Sequence, residues 1–313
     1  MNLKELEYII ALNEEQNFTR AAEKLYITPS ALTQRITKLE EEIGIPLFIR
    51  SRKGVEPTEA GKIYIQATRK MLQLKKDTYK ELHDLASLNI GTLSIGIPPE
   101  RGSAIFSDIY PKFHEKYPSI SIILKETGVY NQQKMIEEGN LDIGFMTLSS
   151  EQQSDDEYML IRREEILVAI PETFPVEHYL RNDFYTRYPV ISLSDLRYEP
   201  FAVMSKSSTL RELQELIFRR NHMEPQILFE TSRQNSFLDM VACKMCCALV
   251  SENYVYSPHA KNVRFVSLKE HPTWNIMACY RKGSYLSEAE EYLIRLFAES
   301  LNRDEDQKER MGI

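Results

Sequence analysis

Tryptophan occurs once in these 313 residues, glycine only eleven times and cysteine four times. No apolar run approaches the roughly 18 residues of a membrane-spanning helix, so no membrane partner is expected. The first thirteen residues are broken by Lys4, Glu5 and Glu7, which does not suit the apolar core of a secretion signal. Cys243, Cys246, Cys247 and Cys279 form no spaced disulfide framework, and a cytoplasmic location is the expectation. Catalytic patterns are missing as well: there is no Walker loop, G-x-G-x-x-G, H-E-x-x-H or nucleophile elbow. His83, His114, His178, His222, His259 and His271 show no ligand spacing, so no metal site is expected. The expectation is a protein that is not an enzyme and needs no cofactor. A formal net charge of −7 excludes a uniformly basic coat for nucleic acid.

What is there is concentrated between Phe18 and Gly61. Two short helical patterns flank a tight break at Tyr26–Pro29, and a basic loop, Arg50-Ser51-Arg52-Lys53-Gly54, follows. Thr28 suits an N-cap and Pro29 suits the first helical position, where its missing N–H costs nothing. Ala31, Leu32, Ile36, Leu39 and Ile43 recur at helical spacing as an apolar stripe. Ser30, Thr33, Gln34, Thr37 and Lys38 face away from it, with Arg35 at the edge. Hydroxyls and an amide near a helix start are suited to base edges in a major groove. Gly44 supplies the left-handed residue that ends such a helix. Any capped amphipathic helix would show this stripe; the small Ala21-Ala22 pair on the preceding helix and the basic loop beyond make the combination specific. From Arg20 to Lys53 seven Lys/Arg stand against four Glu, a small local docking face for DNA.

The segment resembles the LysR-type transcriptional regulators. Their pattern is met at Ala21, Ala22, Leu25, Ala31, Leu32, Ile36, Leu39, Glu40, Leu47, Phe48, Arg50, Lys53, Thr58, Ala60 and Gly61. Thr28 and Thr33 stand where the family usually has Ser, and Pro57 where it has Leu. Pro29 replaces the usual Gln, so a base contact made by that Gln elsewhere is absent here. The resemblance implies a winged helix-turn-helix over 1–58 that binds double-stranded operator DNA. Thr28, Ser30, Thr33, Gln34, Arg35 and Lys38 are expected at base edges or nearby phosphates, with Arg50, Arg52 and Lys53 on the flanking backbone or minor groove. A homodimer or homotetramer, a small-molecule effector and RNA polymerase complete the implied partners.

Residues 59–89 read as a long linker helix. Ile63, Ala67, Met71, Leu74, Thr78, Leu82 and Leu85 lie near a heptad seam, which another chain or the rest of this one must cover. Beyond Gly91 the pattern alternates strands (Thr92–Ile97, Ser119–Thr127, Leu141–Thr147) with helices (Phe106–Tyr117, Gln132–Glu138), the order of a parallel, doubly wound sheet. A second such unit begins near Glu164, and a strand at Trp274–Arg281 and a helix at Ser287–Leu301 return to the first. The fold class is thus α+β multidomain: winged helix-turn-helix, linker helix, and an α/β effector domain over 90–302 that resembles periplasmic binding proteins. Its subdomains are expected at 90–162 with 268–302 and at 163–267, leaving 303–313 as a frayed polar tail.

Open α/β sheets bind ligands beyond the carboxyl ends of their strands, at helix starts. Two loops satisfy that rule: one carrying Arg101, Gly102 and Ser103, the other Ser205, Ser207, Ser208 and Thr209. Thr127, Thr147 and Thr231, at strand ends, would complete the lining, with Arg101 or Lys206 balancing an anionic effector. Singly, each of these Ser and Thr is equally an ordinary cap or strand terminator. The run Cys243-Lys244-Met245-Cys246-Cys247 lies in an apolar segment and reads as packing, with a thiol sensor as the alternative. Lys244 stands where the family tends to have Gly, which strains the chain if that position has positive φ. Two competing functions remain weaker. A solute-binding protein leaves the first sixty residues unexplained, and an enzyme lacks an assembled catalytic set.

Overall fold

The computed structural model describes the backbone of residues 3–51 and 54–310. Two compact units part after Leu88, with Ser284–Ser287 grouped with the first. The first unit holds α1 (Leu3–Glu15), α2 (Phe18–Lys24), α3 (Pro29–Ile43), the hairpin β1 (Phe48–Ser51) and β2 (Gly54–Pro57), and α4 (Glu59–Leu85).

Local chemistry sets each boundary. The Asn17 side chain accepts from the N–H groups of Thr19 and Arg20 and starts α2. Tyr26 turns the chain at φ 55°, Thr28 Oγ1 accepts from Ala31 N at 3.2 Å, and Pro29 opens α3. Gly44, at φ 80°, closes it. Ile9, Leu12, Ala21, Ala22, Leu32, Ile36 and Leu39 make the core with Leu47, Phe48 and Val55 of the hairpin. Ile43, assigned to the stripe from its spacing, is instead 41% exposed, because the last turn of α3 runs past the core.

Two contacts fix the hairpin. Glu40 Oε1 accepts from the N–H groups of Leu47 and Phe48 at 2.7 and 3.0 Å, tying α3 to β1. Thr58 caps α4 through Gly61 N and donates its hydroxyl to the Pro46 carbonyl at 2.8 Å. This draws α4 so close that a Cβ on Gly61 would lie 2.0 Å from the Leu47 carbonyl oxygen. Backbone, unlike a side-chain tip, cannot swing aside. Beyond this packing α4 presents Ile63, Leu74, Leu82 and Leu85, each more than half exposed.

The second unit contains β3 (Ile90–Ile97), α5 (Arg101–Lys116), β4 (Ser119–Glu126), α6 (Val129–Glu137), β5 (Ile143–Leu148), β6 (Glu157–Pro171), β7 (Val190–Ile191) and β8 (Pro200–Met204). These are followed by α7 (Thr209–Arg220), β9 (Gln226–Thr231), α8 (Asn235–Ala242), β10 (Cys247–Ser251), β11 (Val263–Leu268), β12 (Thr273–Tyr280) and α9 (Glu288–Arg310). Strands order as β4-β3-β5-β12-β6-β10-β8-β9, with β11 also on β6. The β4-β3-β5 and β10-β8-β9 pairings are parallel, as expected. The sheet as a whole is mixed, however, because β12 and β6 run antiparallel to their neighbours. They do so because the chain crosses between two lobes and must come back.

The crossings are the hinge. Along β6, Glu157–Glu165 pair with β12 in the first lobe, and from Ile166 onward the strand pairs with β10 and β11 in the second. The return crossing lies between β11 and β12, bound to the first by Ile166 N donating to the Pro272 carbonyl at 2.7 Å. Helix α9 packs on the first lobe, with Phe297 stacked on Phe145 at 3.9 Å. It continues to Arg310, so most of the segment expected to fray is helical.

Gly61→Ala should destabilise the winged unit by roughly 2–4 kcal/mol, since overpacking against backbone has no cheap relief. Urea unfolding followed by circular dichroism measures it; a loss below about 1 kcal/mol would contradict the contact.

Candidate functional site

The first candidate surface is the outer face of α3. Ser30, Gln34, Arg35, Thr37 and Lys38 are exposed there and Thr33 is half-buried. Ser30, Thr33, Gln34, Thr37 and Lys38 follow the spacing of a single helix face. The Thr28 hydroxyl is engaged twice, capping Ala31 N and lying 3.1 Å from Ser30 Oγ. It therefore acts first as a cap. Arg50 is exposed on β1, its guanidinium 4.3 Å from the centre of the Phe18 ring. Arg52 and Lys53 lie outside the described residues.

The second candidate is a cleft of about 270 Å³ between the lobes. The starts of α5, α6 and α7, each following the carboxyl end of a parallel strand, converge on it. Arg101, Thr147, Ser205, Ser207, Ser208 and Thr209 all line it. Gly102, Ser103, Thr127 and Thr231 do not, and local packing explains three of them. Gly102 is wedged against Ile97 and Pro98, where a Cβ would come within 2.8 Å of each. Thr127 Oγ1 accepts from Asn131 Nδ2, and its carbonyl accepts from Gln132 Nε2. Thr231 Oγ1 accepts from Arg233 N within a turn. Ser103 sits half-buried on α5, and Lys206 is exposed and off the lining.

Several lining side chains already have work. Thr209 is buried and donates its hydroxyl across the cleft to the Thr147 carbonyl at 2.8 Å. Ser208 Oγ caps α7 through Leu210 N. Beside them Glu212 receives the Tyr130 hydroxyl at 2.5 Å and Gln152 Nε2 at 2.8 Å, so the first turn of α7 is latched to the first lobe. Ser205 and Ser207 keep hydroxyls without a protein partner among the described residues.

The floor is an ion pair. Glu164 is buried; its Oε2 accepts from Arg101 Nη1 at 2.7 Å and from the Ser251 hydroxyl at 2.6 Å, and Arg101 Nη2 lies 2.6 Å from its Oε1. Burial alone would raise its pKa, but the Arg101 charge and these hydrogen bonds outweigh that and hold it below the usual carboxylate range. Arg101 is therefore not a loose counter-charge, and the expectation that it balances an anionic ligand is corrected to that extent. Sequence reasoning missed Glu164, Ser251, Tyr254, Trp274 and Gln234. Gln234, at the start of α8, carried the helix-start signal, as did the lining residues Gly128 and Val129 at the start of α6. The others reach the floor or wall through strand order.

The three buried cysteines lack the setting of a reactive thiol. Burial pushes Cys246 up to about 11 and Cys279 to about 12, and raises Cys247 further. Cys243 is exposed, and all four are free. Lys244 does adopt positive φ, at 62°.

Residues 3–62 match the pattern described as "Bacterial regulatory helix-turn-helix protein, lysR family", and residues 86–302 match the "LysR substrate binding domain". The chain belongs to the LysR family. It is a DNA-binding transcriptional regulator with an effector-binding domain, of a family that binds small-molecule effectors and forms multimers. Among its LysR relatives, YcgK of Bacillus subtilis is 27% identical, over 98% of this chain and 97% of that protein. The Escherichia coli regulator OxyR is 25% identical over 94% and 93%. The solved structure of a full-length OxyR variant from Pseudomonas aeruginosa superposes with a TM-score of 0.68 at 21% identity, covering 96% and 94% of the two chains. A full-length BenM mutant gives 0.55 at 26% identity, covering 98% and 97%. Among the described residues no helix is long and apolar enough to cross a membrane.

His271 lies on the return crossing between β11 and β12, among acidic partners. Its Nδ1 lies 3.0 Å from Glu165 Oε1 and 3.0 Å from Ser267 Oγ, and its Nε2 lies 3.4 Å from Asp183 Oδ2. A neutral imidazole has one N–H and cannot serve two carboxylates. Hydrogen bonding to Glu165, then to Asp183, raises the His271 pKa against the effect of burial. The folded value lies above the unfolded one, near 6.5, so the stabilisation is complete below about pH 6.5 and is lost as pH rises through the folded value. Relative to His271→Gln, the wild type should therefore show its full thermal advantage below about pH 6.5 and lose it progressively as the pH rises above that. Parallel melting curves with a constant gap would contradict this.

Proposed function

We propose that this regulator reads its operator with Ser30, Thr33, Gln34, Arg35 and Lys38 on α3, while Arg50, Arg52 and Lys53 hold the flanking backbone or minor groove. Thr28 contributes through the cap it forms. The observation that carries the reading is the capped, polar, outward face of α3 beside a basic hairpin in a LysR domain. Short hydroxyls, an amide and a guanidinium at one helix start match the donor and acceptor patterns of base edges. Winged domains occupy 1–58 in this reading, and the exposed seam of Ile63, Leu74, Leu82 and Leu85 on α4 pairs with a second copy. Two such domains then meet half-sites at least one helical turn, ~34 Å, apart.

The effector in this proposal is a small, acceptor-rich molecule, with a carboxylate as its simplest form, bound between lobes 90–162 with 268–302 and 163–267. The converging helix starts and the Ser205 and Ser207 hydroxyls supply the donors. With Arg101 already paired to Glu164, an anion would be held mainly by N–H and O–H groups. Lobe closure changes with the ligand only through its differential affinity for the two arrangements, and that same difference reaches the DNA-binding domains. The protein acts in the cytoplasm, on DNA and RNA polymerase, and without catalysis.

Gln34→Ala or Arg35→Ala should lower the preference for the operator over scrambled duplex by ~1–3 kcal/mol, if either contact is bidentate. Anisotropy titrations at several salt concentrations read both terms, and unchanged discrimination in both variants sinks the α3 assignment. For the cleft, carboxylates should raise the melting temperature of the full chain more than their amides do. At roughly 100-fold excess over Kd the stabilisation is about 2.7 kcal/mol. Equal shifts for acids and amides would remove the anionic reading.

A further inference from the structure

The corner where the hairpin meets α2 holds its basic residues in two ways. Lys24 Nζ lies 2.8 Å from Glu14 Oε2, and Arg20 Nε lies 3.8 Å from Glu15 Oε2, so both have a carboxylate neighbour. Arg50 has no carboxylate partner among the described residues. Its guanidinium carbon instead lies 4.3 Å from the centre of the Phe18 ring. An aromatic face attracts a cation without cancelling its charge, and stacking leaves the N–H groups at the guanidinium edge available.

The arrangement is built from backbone. The Asn17 side chain accepts from Thr19 N at 2.8 Å and Arg20 N at 3.1 Å, which fixes the turn that carries Phe18. Val55 N donates to the Gln16 carbonyl at 2.9 Å, tying β2 to the same corner. Arg50 is the cross-strand partner of Val55, so this tie brings its side chain beside the ring. Phe18 is itself half-buried and packs against the winged core.

We propose that Phe18 is a positioning residue for DNA binding: its ring holds the Arg50 guanidinium ready for a backbone phosphate, with charge and donors unspent. The inference rests on the reading of Arg50 as a DNA contact. Ordering a long side chain before association removes part of the entropic cost of the contact.

The test is a double-mutant cycle on the full chain, using an operator selected by the wild type from a random-sequence duplex pool. Anisotropy is measured at several salt concentrations for the wild type, Phe18→Leu, Phe18→Tyr, Arg50→Ala and the double variant Phe18→Leu/Arg50→Ala. Arg50→Ala should weaken binding tenfold or more and flatten the salt dependence. Phe18→Leu, which keeps an apolar side chain against the core, should cost about fivefold, or roughly 1 kcal/mol. Phe18→Tyr should stay within twofold, and the double variant should bind no worse than Arg50→Ala. Wild-type affinity in Arg50→Ala overturns the Arg50 reading and the proposal with it. Loss in Arg50→Ala but none in Phe18→Leu overturns the proposal alone, as do additive losses. Melting curves verify folding, and Phe18→Met replaces Leu in the cycle if the Leu variant does not fold.

Discussion

The effector domain depends on one buried carboxylate. Glu164 lies on the strand that passes from lobe to lobe, just before that strand changes partners. It holds Arg101 at the start of α5 and Ser251 at the end of β10, so a single group joins the hinge, a helix of one lobe and a strand of the other. Removing one member of a buried pair is far costlier than the pair is worth, because the remaining charge is left without compensation. That asymmetry resists any rearrangement that would part Glu164 from Arg101. The latch of Tyr130, Gln152 and Glu212 lies beside the cleft on side chains with exposed segments, where exchange with water costs little.

In the winged unit the controlling constraint is steric. The Leu47 carbonyl and Gly61 approach so closely that no side chain fits, and Thr58 and Glu40 aim the backbone into that approach. The hairpin and the first turn of α4 are consequently one rigid piece. Its attachment to the Gln16 carbonyl sets Arg50 over Phe18. The position of Arg50 thus follows from a helix cap and a backbone pairing elsewhere in the unit.

The LysR pattern was legible because its residues act locally. Thr28 and Gly44 punctuate a helix through bonds to neighbours three or four residues away, Pro29 by its fixed φ, and period alone separates Leu32 and Ile36 from Gln34 and Lys38. Helix starts in the effector domain were legible by the same logic, which is why both Ser205 and Thr209 fall on the cleft. The same reasoning overreached at Thr127 and Thr231. A hydroxyl at a strand end looks alike in sequence whether it faces a ligand or closes its own turn.

The sequence by itself determined the caps and polar face of α3, the apolar seam of α4 and the family, since each depends on spacing within one segment. Tertiary structure alone decided that Glu164 would claim Arg101, that β12 would return antiparallel to close the hinge, and that Phe18 would sit beneath Arg50. Those partners lie far apart along the chain. Which distant groups meet is set by strand order and by the close approach of backbones, and neither leaves a period in the sequence.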